Sequence, residues 1–313
     1  MNDGQAIPPV DATAAAKRHS RKPGRVHQIT SVSNPIIKGL RGLTLKKNRD
    51  AQSVFIAEGL KHTIDALDRG WVMRTVVTTN AGNAPDLVAA TAARARASGA
   101  DILEVSEKVM AALVKRDNAQ PVLSVIDQNW SSPEALLAHH TQATDTLLVL
   151  DRVRDPGNLG TIIRTVDAVG AKRIWLVGDC TDPFSLEAVR ASMGSLFHVE
   201  IARSSAEQFI ALRARLKGKL LGTHLKGAVD WRTPDYAAGP IALVMGNERE
   251  GMPKPLADAC DALIRMPMAG GADSLNLAVA TGLTLFEARR HLLTDGGFED
   301  GAQTQSLSWE GVS

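Results

Sequence analysis

From Thr146 onward the chain sets short, almost wholly apolar runs, TLLVLD, RIWLVGD, KLLGTHL, IALVMGNE and ALIRMPM, between longer stretches whose apolar residues recur every three to four positions. No other feature limits the fold so tightly. A strand that is apolar at consecutive positions has to be covered on both faces, which is the condition of a parallel sheet with helices above and below it. PGNLGTIIRTVDAVGA reads as one such helix, with Leu159, Ile162, Ile163, Val166 and Val169 on one side. SLEAVRASMGSLF, SAEQFIALRARLKG, KPLADACD and SLNLAVATGLTLFEARRHL read as others.

A smaller alternation precedes it. In SNPIIKGLRGLTLKKNRD, Ile36, Ile37, Leu40 and Leu43 fall at helical spacing, with Asn34 as N-cap and Pro35 in the first turn. SVFIAEG, MRTVVTT, DILEVS and PVLSVID read as strands, and LKHTIDALDRG, PDLVAATAARARASGA and EKVMAALVK as helices. The expected organisation is a basic arm over 1–25, a small α/β domain over 26–127, a polar linker over 128–144 with a short helix at SPEALLAHH, a second α/β domain over 145–295, and a Gly-rich tail over 296–313.

Net charge is only +2, but ten Lys and Arg against two Asp within residues 1–49 give that segment about +8 and leave about −6 for the rest. Such a segment suits a polyanion partner, and it suits equally a solvated tail. Cys180 and Cys260 match no metal or redox spacing, and no His/Cys/Asp cluster offers a metal site. No apolar run approaches the ~20 residues of a membrane span, and the N-terminus lacks the apolar core of a secretion signal. The expectation is a cytoplasmic protein without structural disulfides.

Ligands of open parallel sheets sit beyond the carboxyl ends of the strands, and three junctions there are unusual. In DRVRDPGNLGTIIR, Asn158 and Gly160 open a helix that carries Arg164; read alone, this is an anion-favouring helix start or simply a capped helix whose arginine is solvated or paired to Asp167. It is a poor dinucleotide fingerprint, because the third glycine is missing, and that argues against a nucleotide-binding oxidoreductase. In LVMGNEREGM, Gly246 admits close backbone approach ahead of Asn247 and Glu248; a plain glycine turn with exposed charges is the alternative. In MPMAGGADSLNLAVATG, Ser274 reads as the cap of the last helix, and Asn276 as a polar group one turn inside it.

Taken in order, N-x-G-x-x-x-R, G-N-E-x-x-G and M-P-M-x-G-x-x-x-S-L-N-L-A-V-A resemble the SpoU/TrmH branch of the SPOUT RNA methyltransferases, over Leu147 to about Arg290. SNPIIKGLRGLTLKKNRDAQSVFIAEGLK resembles the substrate-binding domain of ribosomal-RNA members of that family. The resemblance implies a C-terminal SPOUT domain, an α/β-knot with a deep trefoil knot through which GGADSLNL passes on its glycines, and an N-terminal L30e-like RNA-binding domain. It implies methyl transfer from S-adenosylmethionine to a ribose 2′-hydroxyl of RNA, with large-subunit 23S ribosomal RNA favoured over tRNA and a non-catalytic RNA-binding or ribosome-assembly role as the remaining alternative.

By motif position the resemblance puts Arg164, Asn158, Glu248, Ser274 and Asn276 at the reaction centre, with Arg164 on the RNA phosphate or the developing alkoxide. It puts the cofactor on Gly246, Met266 and Leu275, with Thr223 and Leu225 on the other side and no metal. Lys38, Arg41, Lys46, Lys47 and Arg49 would meet phosphates, while Glu58 and Lys61 match an E-G-x-K pattern whose role stays open between fold and RNA. With twelve aromatic residues in the chain, base stacking is not the expected mode of recognition. The family also implies a homodimer, with which an apolar last helix bearing Leu277, Val279, Leu283 and Phe286 is consistent; packing of that face on the sheet is the alternative. No DNA or membrane partner is expected.

Overall fold

A computed structural model describes residues 22–79, 86–114, 121–225, 229–247 and 250–293. The basic arm up to Arg21, the tail from Thr294 and Glu248 lie outside the described residues.

The N-terminal half holds β1 (Val26–Ile29), α1 (Pro35–Gly42), α2 (Lys46–Gln52), β2 (Val54–Glu58), α3 (Leu60–Asp68), β3 (Met73–Thr79), α4 (Asp86–Ala97), β4 (Asp101–Val105), α5 (Glu107–Val114) and β5 (Val122–Asp127). Its sheet runs β1-β4-β3-β5-β2, with β5 antiparallel to both neighbours and the other pairs parallel. Asn34 caps α1 by accepting from the Ile36 amide at 2.9 Å, and Pro35 opens the helix. Ile37, Leu40 and Leu43 are buried while Ile36 points outward.

Next comes α6 (Pro133–His139). The expected linker is therefore not a free connection. Leu136 and Leu137 are buried in the same cluster as Trp175 and Phe209, and the Ser131 amide donates to the Ile201 carbonyl at 2.9 Å, so the segment packs on the C-terminal half.

That half holds β6 (Thr146–Asp151), α7 (Pro156–Ala168), β7 (Arg173–Val177), α8 (Leu186–Ala191), β8 (Glu200–Ser204), α9 (Ala206–Leu212), β9 (Lys219–Thr223), β10 (Val229–Asp230), β11 (Ile241–Met245), α10 (Lys254–Asp258), β12 (Ala262–Arg265), α11 (Leu277–Ala288) and α12 (Arg290–Leu293). Its sheet runs β10-β12-β9-β11-β6-β7-β8, every pair parallel. β6, β7 and β11 are almost wholly buried, as strands covered on both faces must be. Strand order reverses between β6 and β11, so the crevice at their carboxyl ends is the topological switch point. The two halves share core: Phe55 and Trp71 of the first pack with Phe184 and Phe197 of the second, at ring separations of 4.9 Å for Phe55–Phe184 and 5.3 Å for Trp71–Phe197.

Candidate active site at the carboxyl edge of the parallel sheet

Three segments that leave the carboxyl ends of β9, β11 and β12, with Trp231 after β10, line a cavity of about 420 Å³. Its wall includes Thr223, Leu225, Gly246, Met266 and Leu275, the five residues expected to meet a cofactor. Leu225 is 65% and Leu275 38% exposed. Apolar side chains left open at a concave mouth mark a ligand surface rather than core. The Thr223 hydroxyl is spent on the fold, donating to the Val244 carbonyl at 3.2 Å. A Cβ on Gly246 would stand 2.8 Å from the Met252 amide nitrogen, so only glycine lets the loop after β11 turn back so closely. That loop is closed by the Asn247–Gly251 bridge.

Asp155 caps α7, its Oδ1 accepting from the Asn158 amide at 2.5 Å, and Pro156 sits in the first turn. The last helix differs from the sequence reading. Ser274 does not cap it; Asn276 does, accepting from the amides of Ala278 (2.9 Å) and Val279 (3.3 Å). Asn276 is thus exposed at the helix mouth rather than one turn inside, and Ser274 is left on the cavity wall. The Asn276 Nδ2 donates to Asn158 Oδ1 at 3.1 Å, which joins the starts of α11 and α7. The helices run side by side, with a Cβ on Gly282 placed 3.8 Å from the Thr165 methyl.

Arg164 is exposed, and no side chain among the described residues pairs with it; Asp167, the alternative partner, contacts His198 instead. Arg164 does not line the cavity of its own chain. Gly160 serves packing rather than a ligand, because a Cβ there would stand 2.5 Å from the Ala188 carbonyl and the Ala191 Cβ on α8. Gly270 and Gly271 have open space where a Cβ would point, so the close backbone approach expected of them falls at Gly246.

On the N-terminal half, Lys38, Arg41 and Lys47 are exposed without a partner among the described residues, and Lys46 makes a solvent-exposed pair with Asp50 at 3.5 Å. Arg49 corrects the expectation. Its side chain is buried, with Nε and Nη2 donating to Asp182 Oδ2 at 3.0 and 2.6 Å and Nη1 donating to the carbonyls of Leu43 and Thr44 at 2.9 Å each. A guanidinium so occupied offers nothing to a phosphate.

Residues 145–286 match the SpoU rRNA Methylase family, and residues 34–124 match the MRM3-like substrate binding domain. The 23S rRNA (uridine(2479)-2'-O)-methyltransferase of Streptomyces viridochromogenes is 30% identical to this chain over 297 residues, covering 91% of the chain and 96% of that protein. The chain belongs to the SpoU rRNA methylase family. Among its SpoU relatives, the 23S rRNA (guanosine(2553)-2'-O)-methyltransferase RlmP of Bacillus subtilis is 28% identical over 262 residues, covering 84% of the chain and 99% of the relative. The crystal structure of an AdoMet-bound rRNA methyltransferase from Sinorhizobium meliloti superposes with a TM-score of 0.81 at 52% identity, covering 87% of this chain and 100% of that one.

Within this SpoU domain the sequence reading passed over one residue of the cavity wall and one that braces it. Trp231, just after the two-residue strand β10, adds an aromatic wall. Arg152, at φ +49 immediately after β6, bridges loops: its guanidinium reaches Asp151 Oδ2 (3.0 Å), Glu250 and the Gly251 carbonyl (3.1 Å), while its own carbonyl accepts from Asn247 Nδ2 at 2.8 Å. Hydrogen bonding to Asp151 outweighs burial and holds Arg152 more firmly protonated than a free arginine. The left-handed backbone at a non-glycine beside the cavity was a possible signal only in three dimensions.

Proposed function

We propose that this chain methylates a ribose 2′-hydroxyl in RNA, with 23S ribosomal RNA as the substrate and S-adenosylmethionine as the methyl source. The observation that carries the reading is the cavity at the carboxyl ends of β9, β11 and β12, walled by two of the motif loops, with the third joined to its rim where Asn276, next to the lining residue Leu275, bonds Asn158. The cavity fits that cofactor. It is large enough for a compact nucleoside, it exposes Leu225, Leu275 and Met268 to an apolar ring, and Gly246, which has no side chain, contributes main-chain atoms to its wall. The bound cofactor supplies an activated methyl group on a sulfonium.

The protein's own part is positioning and charge. Thr223, Leu225, Gly246, Met266 and Leu275 hold the cofactor, and Arg152 braces Glu250 and Gly251 of the same wall. Asn158 and Asn276 fix each other, so their amides meet the ribose without reorganising. Arg164 brings a fixed cation to a phosphate or to the oxygen as it loses its proton; a guanidinium does not act as a base. Ser274 and Glu248 complete the polar shell, and Lys38, Arg41, Lys46 and Lys47 hold RNA phosphates from the N-terminal half.

The functional unit in this reading is a homodimer in the cytoplasm. Val279, Leu283 and Phe286 are 52%, 45% and 52% exposed along one side of α11, the helix beside α7. A second copy packed on that stripe would cover it and bring an Arg164 to a cavity that lacks one. The proposed domains are 26–127 for RNA and 145–295 for methyl transfer. A trefoil knot in the latter is supported by the path of residues 266–276, which run from β12, beyond β9 and β11, to the start of α11 against α7.

The test is transfer of labelled methyl from S-adenosylmethionine to total ribosomal RNA and total tRNA from cells lacking the gene, followed by nucleoside digestion. Label in a 2′-O-methyl nucleoside of 23S RNA is the expected result. Label only in tRNA would move the substrate, and label on a base would overturn the reaction.

A further inference from the structure

Two ion pairs cross between the halves, one buried and one part-buried, and both end on the surroundings of α7. Arg49 of α2 reaches Asp182, whose other oxygen accepts from the Phe184 amide at 2.9 Å. Its neighbour Thr181 donates its amide to the Val153 carbonyl at 2.7 Å, two residues before the Asp155 cap that starts α7. The second brace runs from Glu58 at the end of β2. Its Oε2 accepts from Arg190 Nε at 2.8 Å and Nη2 at 2.5 Å, while Oε1 is buried with no partner. Arg190 lies on α8, the helix on which Gly160 of α7 is seated without room for a Cβ. Between the braces lie Phe55, Trp71, Phe184 and Phe197, and the Trp71 indole donates to the Phe197 carbonyl at 3.2 Å.

We propose that Arg49 and Glu58 are positioning residues that tie the RNA-facing cations of α1 and α2 to α7 at a fixed distance and angle, so that the target ribose is selected by a rigid ruler spanning both halves. The proposal rests on the reading that this site methylates RNA. Two features make the seam a ruler rather than a hinge. Arg49 and Asp182 form a hydrogen-bonded charge pair out of water, and in the second pair the carboxylate of Glu58 is buried under a half-buried Arg190, so the loss of either arginine strands a buried carboxylate. Both anchor points lie one contact away from the helix that carries Asn158 and Arg164, so a shift of α2 or β2 is passed to α7 through packed atoms. Glu58 thereby takes a role in the E-G-x-K segment, whereas the exposed Lys61 spends its ammonium on half-buried Asp65 at 2.5 Å.

The test uses the full chain with Arg49→Lys, Glu58→Gln and the double variant. Lysine keeps the charge of Arg49 but cannot reach Asp182 and two carbonyls together; glutamine keeps the shape of Glu58 without its charge. Three quantities are read: S-adenosylmethionine affinity, the position of every 2′-O-methyl along 23S RNA, and solution X-ray scattering. The expected result is unchanged cofactor affinity, methylation spread to neighbouring riboses or a kcat/KM for RNA lowered by roughly 10²-fold, and a scattering curve that no longer fits the docked halves. Full-rate methylation at one ribose by the double variant overturns the proposal. So does a wild-type scattering curve that requires the halves to separate, a result that stands even where a variant fails to fold. An inactive wild type with a docked scattering curve would count against the methylation reading while leaving the brace in place.

Discussion

The seam between the halves and the rim of the parallel sheet use the same kind of side chain to opposite ends. At the seam, Arg49 donates to a carboxylate and two carbonyls and is buried, and Arg190 is turned onto Glu58. On the outer surface Arg164, Lys38, Arg41 and Lys47 are exposed with no partner among the described residues. A cation withdrawn from water has to be matched inside the protein, because desolvation otherwise exceeds any gain. A cation left open keeps its hydration and its freedom to meet a charge from elsewhere. Identity as Arg or Lys therefore says little about RNA contact; the state of its hydrogen bonds says more.

The contrast breaks most sharply at Arg49. Arg49→Ala strands Asp182 in the seam and should destabilise the protein by about 3–5 kcal/mol. Urea unfolding followed by fluorescence measures it, and Asp182→Ala in the same background should cost little more. A loss below about 1 kcal/mol, the range of surface pairs, would show that the seam is not a dry ion pair. Arg164→Ala should do the reverse. Stability and cofactor affinity stay, and single-turnover methyl transfer falls by about 10²–10³-fold, the usual effect of removing a donor to a developing oxyanion. If cofactor binding fails while saturated activity survives, the arginine belongs to the pocket and not to the reaction.

This contrast was not legible in the sequence. The apolar runs from Thr146, the cap at Asn34 and the apolar spacing from Leu159 to Val169 are local patterns, and they identify the sheet, α1 and α7 directly, whereas the cap of α7 at Asp155 went unread. The three motif loops could be located because glycine and asparagine at strand ends have few other uses. Arg49, by contrast, meets a partner 133 positions away, and nothing local separates it from Lys46 and Lys47. Ser274 and Asn276 are both able caps, and the choice depended on where residues 266–275 release the chain to α11. β1 and β10 escaped because strands of four and two residues at sheet edges lack an apolar run. Leu136 and Leu137 are two apolar residues in a polar stretch, too few to reveal that α6 belongs to the C-terminal core.

His140 tests the rule that buried polar groups are matched. It ends α6 and is fully buried, and among the described residues neither ring nitrogen makes a hydrogen bond of ordinary geometry, although the Lys217 backbone is near enough to favour the charged ring slightly. Burial pushes its pKa down to about 4; Asp145 pulls it up and Arg173 pushes it down further. Since the folded value lies below the unfolded 6.5, the unfolded chain binds the extra proton, and stability is whole above about pH 6.5 and lost as pH falls toward 4. Between pH 7.5 and 5 the loss from this group is about 2 kcal/mol. His62 is lowered by burial too and adds with the same sign, so His140→Leu should flatten the pH dependence without abolishing it. An unchanged slope in the variant would place the acid sensitivity elsewhere.

The smallest effect belongs to Lys47, next door to the buried Arg49 on α2 yet fully open to solvent. Lys47→Ala should leave the unfolding midpoint where it is and weaken RNA binding less than about tenfold, in parallel for all RNAs, while lowering the slope of log affinity against log salt by about 0.7–0.9, the value of one released counterion. Arg49→Gln, which removes the charge, should leave that slope alone, because a cation already neutralised by Asp182 has no counterion to release. Binding measured from 50 to 300 mM salt separates the two residues. A loss of slope in Arg49→Gln as large as in Lys47→Ala would mean that the seam opens on RNA and its arginine changes partners, and the division between matched and available cations would then fail on its own helix.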